Sequence, residues 1–288
     1  MIKVKVPGFY SLTNNKVCAV CLFSTSIIIL FNTILYFLRD ENKINNVYEF
    51  EQEIYFNSLL ISIKVLFLFY IFDIFLDNSF WNNKGKKDII VYESETPNYN
   101  NFIVRPMNSH SSIFLFHVGL YSWLQFNDNT NYYYACCFFS ISQMLMGIIS
   151  YLWWSSNLNN IHIIDNLCME LIVNSISTLV WTTIFPLYEL YFIFLSILYF
   201  ILHGYNFNTA YLVELCLIFL SGTIITSYYH GSGENCLFFL GTLLTIGGLV
   251  PKIADRYNRF QYGTSIFHYM EAYGFLIFYK WIQTILIN

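Results

Sequence analysis

Gly263 to Trp281 reads GTSIFHYMEAYGFLIFYKW. The stretch is long enough to form a membrane-spanning helix. His268 and Glu271 stand near its start, one helical turn apart and on one face. Ionisable groups at membrane depth are costly and face a protein interior or a wet cavity. This helix is therefore expected to line a buried polar site, and the remaining spans are read by what they bring to it.

The composition agrees with a membrane setting. Of 288 residues, 56% are hydrophobic and only 11% charged, and the mean hydropathy is +0.50. A soluble domain averages about 25% charged residues. Apolar runs separated by short polar gaps predict an all-α polytopic transmembrane helical bundle, and the weak ten-residue alternation of a β-barrel is missing. No basic stripe marks the chain as a nucleic-acid binder. The seven cysteines lie in or beside apolar runs. Cys18 and Cys21 make a C-x-x-C without a second pair and read as small buried side chains rather than a redox or zinc motif.

Taken in order, residues 1–76 form an N-terminal extension with two spans, Val17–Leu38 and Tyr55–Leu76. The second carries Lys64 and Asp73. Residues 77–110 are a polar loop. Residues 111–288 make a seven-helix core with spans near Ser111–Phe126, Tyr132–Trp153, Ile163–Trp181, Thr183–His203, Ala210–Tyr229, Cys236–Val250 and Gly263–Ile287. Short connections force antiparallel neighbours. Lysine and arginine counts place the N-terminus, the 77–110 loop and the 251–262 loop on one side, the cytoplasm or the mitochondrial matrix by the positive-inside rule.

Besides the terminal helix, two stretches stand out: RPMNSHSSIFLFHVGLYS from Arg105 to Ser122, and GIISYLWWSSNLNNIHIIDNLCME from Gly147 to Glu170. Residues 105–285 resemble the alkaline ceramidase-like (CREST) superfamily of seven-helix membrane hydrolases. The pattern of that family is a Ser, a His four residues on, an Asp eleven further, and a terminal H-x-x-x-H whose histidines complete a zinc site. Ser150 and Asp165 keep the spacing, and His268 matches the second histidine of the pair. Trp154 and Thr264 occupy the other two ligand positions. The acidic calcium-binding segment that the family carries before its first core helix is absent.

Trp cannot ligate zinc and Thr is a poor ligand, whereas a catalytic zinc takes three protein ligands and an open position. The resemblance thus implies a pseudoenzyme: a lipid-binding or structural subunit of a membrane complex, with no cofactor, with membrane lipids and other membrane subunits as partners, and with Ser150 and Asp165 vestigial. Two alternatives stay open. An active lipid amide or ester hydrolase would need zinc on a site rebuilt from His268 with the substitutes His162 and Glu271, beside Asp165. A transporter would use buried charges such as Lys64, Asp73 and Glu271, though no matched pair of broken helices marks inverted repeats. The expected membrane is that of the ER or Golgi, or the mitochondrial inner membrane.

Overall fold

A computed structural model of the protein describes residues 54–68, 95, 97, 103–125, 132–203, 218–226, 228, 235–256 and 262–287. The predicted span Val17–Leu38, residues 69–76 of the second span, most of the polar loop and Ala210–Leu217 of the fifth core span lie outside these residues. Among the described residues the chain is all-helical and has no strand. Eight α-helices are seen: α1 (Ile54–Leu68), α2 (Pro106–Leu124), α3 (Tyr133–Ser156), α4 (Asn159–Ile184), α5 (Glu189–His203), α6 (218–226), α7 (Asn235–Arg256) and α8 (Gly263–Ile287).

Helix α2 lies between α3 and α8; α7 packs on the far side of α8, and α4 then α5 continue from α3. The α2–α3 crossing is close because two glycines meet it. A Cβ on Gly119 would lie 2.6 Å from the Ser140 carbonyl, and one on Gly147 would fall on the Phe116 backbone. Small residues at such crossings let backbones approach and gain dispersion contacts, the main source of association where lipid replaces water. The apolar core runs through α2, α3, α4 and α8, and Ile54 and Tyr55 of α1 belong to it.

Among the described residues, three helices are long and apolar enough to cross a membrane: Tyr133–Ser156, Asn160–Ile184 and Cys236–Asp255. The most apolar of them, at a mean hydropathy of 1.8, is also the most exposed, with 17% of its central window buried. Helix α8 shows the converse. It carries His268, Glu271 and four tyrosine or lysine side chains from Tyr269 to Lys280, and residues 272–279 are all buried. Polar residues are carried by the helix that protein surrounds, and apolar ones by the helix that protein leaves bare.

Several boundaries differ from the sequence expectation: α3 runs on to Ser156 rather than Trp153, α4 spans Asn159–Ile184 rather than Ile163–Trp181, and α5 starts at Glu189 rather than Thr183; two further shifts have a visible cause. Helix α2 starts at Pro106 rather than Ser111, with proline in its first turn where a missing N–H costs nothing. Helix α7 runs through Pro251 to Arg256 instead of stopping at Val250. A proline removes one intrahelical bond, but here the Pro251 carbonyl packs on Gly263, so α8 holds the following turn in place.

Candidate functional site

The N-terminal ends of α2, α4 and α8 and the C-terminal ends of α3 and α7 meet at one end of the fold. The seam between α3 and α2 is made by backbone. Val104 N donates to the Ser155 carbonyl (2.9 Å) and Arg105 N to the Trp154 carbonyl (3.1 Å). These carbonyls belong to the last turn of α3 and have no intrahelical donor, so the segment leading into α2 satisfies them. Asn157, in the left-handed region at φ 57°, ends α3.

Asn108 is the hub. Its carbonyl accepts from Ser111 Oγ (2.9 Å) and Ser112 Oγ (2.8 Å). Its Oδ1 accepts from Ser265 Oγ of α8 (2.8 Å). His268 Nδ1 lies 2.8 Å from Ser111 Oγ and 3.3 Å from Ser112 Oγ. Ser112 Oγ is also bonded to Ser150 Oγ of α3 at 3.0 Å. A single hydrogen-bonded chain therefore links α8, α2 and α3, with every member buried: Asn108 1% exposed, Ser111 and Ser112 0%, Ser150 1% and His268 3%.

The sequence-predicted residues are placed as follows. Ser150 and His268 are brought together through Ser112. The Trp154 ring lies beside His268, with centroids 6.2 Å apart, and the Arg105 guanidinium sits over that indole at 5.4 Å. Thr264, one turn before His268, is fully buried. Asp165 of α4 and Lys252 of α7 both act electrostatically on Glu271, and Lys252 acts on His268 and His162 as well. His162 faces Trp153, their rings stacked at 4.3 Å. Among the described residues, no three His, Cys, Asp or Glu side chains converge to hold a metal ion.

Arg105, Asn108, Ser111, Ser112, Ser265 and Lys252 complete the site and were not singled out from the sequence. The signal was the run RPMNSHSS, whose polar positions at 105, 108, 111 and 112 fall on one helical face. Three carboxylates frame the helix ends. Glu95 accepts from Met107 N and Asn108 N at 2.9 Å each, one oxygen apiece. Asp255 accepts from Thr264 N at 2.7 Å, and Glu189 from Ala135 N at 2.7 Å. Each satisfies orphan N–H groups at the positive end of a helix.

The arrangement is a clasp. Its hydroxyls are spent on Asn108, on one another and on His268, and Trp154 fills the space next to the ring. Comparison of the chain with protein-family models, with curated proteins and with solved structures found no match.

Proposed function

We propose that the chain is an integral membrane protein with a ceramidase-like fold whose hydrolytic centre has become a structural clasp, and that it acts as a lipid-binding or structural subunit of a membrane complex. The observation that carries this reading is Trp154. It stands where the family pattern has its first zinc-binding histidine, and its indole packs beside His268 under the Arg105 guanidinium. A metal-bound water needs an open coordination position to act as nucleophile. Here that side of His268 is occupied by an apolar ring, and the family-matched Ser150 hydroxyl is bonded to Ser112 rather than directed at a substrate.

Polar clasps of this kind join helices where no water competes for the hydrogen bonds. The role left to the protein is then its surface: the apolar faces of α5 and α7 that meet lipid or neighbouring subunits.

Metal analysis of the detergent-purified protein, with His268→Ala alongside, tests the reading together with a ceramide-hydrolysis assay controlled by Asp165→Ala. The expected result is no stoichiometric zinc and no hydrolysis above the control. One zinc per chain that is lost in His268→Ala, or hydrolysis that is lost in Asp165→Ala, overturns it in favour of the rebuilt hydrolase.

A further inference from the structure

We draw no further inference here: the strongest candidate, the side-chain cluster of Asp165, Lys252 and Glu271 where α4, α7 and α8 meet, belongs to the site already described, and nothing in the structure shows what it would hold.

Discussion

Replacing Trp154 and Thr264 together by histidine should turn the clasp into a zinc site. The Trp154 and His268 rings are 6.2 Å apart, and Thr264 is one helical turn from His268 on the same face of α8. Zinc bonds imidazole nitrogen at about 2.0–2.1 Å, so three rings entering from these positions can share one ion. The unloaded double variant is expected to be weaker than wild type. Trimming a buried tryptophan to alanine costs about 3–5 kcal/mol, and histidine keeps part of the volume, which leaves about 2 kcal/mol lost. The Arg105 guanidinium also loses its indole, a contact worth about 1 kcal/mol. At Thr264 no hydrogen bond is given up, because its hydroxyl has no partner, but the larger ring enters a fully buried position and adds an overpacking cost of about 1–3 kcal/mol. Zinc supplied at about a thousand times its dissociation constant returns about 4 kcal/mol. At about 2–4 °C per kcal/mol, zinc should raise the apparent melting temperature of the double variant by on the order of 10 °C, and EDTA should reverse the rise. Wild type should not respond. The assay is zinc content per chain with thermal unfolding in detergent, repeated with His268→Ala added to the double variant. A monodisperse double variant that takes up no more zinc than wild type refutes the reasoning: positions 154, 264 and 268 would not converge, and the family template would fail with them.

Glu95→Gln leaves one neutral acceptor where two carboxylate oxygens each take a backbone N–H of α2. It should cost about 1–2 kcal/mol, combining part of a cap with a helix-dipole contact, read as a fall of a few degrees in the apparent melting temperature; no fall would show that the loop contact is unimportant. Gly147→Leu drives a side chain into the Phe116 backbone and should cost more than the roughly 1–3 kcal/mol of ordinary overpacking. The readout is loss of monodisperse protein, with Leu145→Ala on the exposed side of the same helix near neutral. Asn108→Ala removes the Ser265 acceptor and should cost about 1–3 kcal/mol for the unsatisfied buried hydroxyl, and Ser265→Ala added to it should recover part of the loss in a double-mutant cycle.

The sequence made the terminal helix legible because its length and its two ionisable residues are local facts, and α8 begins and ends where periodicity places it. Ser150 and His268 stood out in the sequence only as positions in a pattern that the chain resembles; that Ser112 joins them could not be read from it. Asn108, Ser111 and Ser112 sit in a run that resembles a loop, and the sequence reading duly started the helix at Ser111. In the fold the serines bond back to carbonyls three or four residues earlier, as Ser109 does to Arg105 and Ser112 to Asn108. Each hydroxyl is thereby satisfied inside a helix, where it would otherwise compete with the backbone.

The caps were out of reach for a different reason. A capping motif is sought in the residues immediately before a helix, but these carboxylates arrive from 12 and 13 residues away for Glu95, 54 for Glu189 and 9 for Asp255. Only the packed fold supplies them. The same dependence explains why the most polar helix is the most central. A serine, asparagine or histidine on an outer face would meet lipid with no partner, whereas on α2 and α8 it meets another helix that carries its complement. The polar residues of this chain are therefore informative as a set. Each is tolerated only because the others converge on it, so removing the Asn108 side chain should weaken the hold of α2 on α8 through Ser265 while the serine bonds to its backbone carbonyl remain, whereas breaking Glu95 should loosen only the start of α2. A larger loss of stability in Asn108→Ala than in Glu95→Gln is the ordering that this reasoning requires.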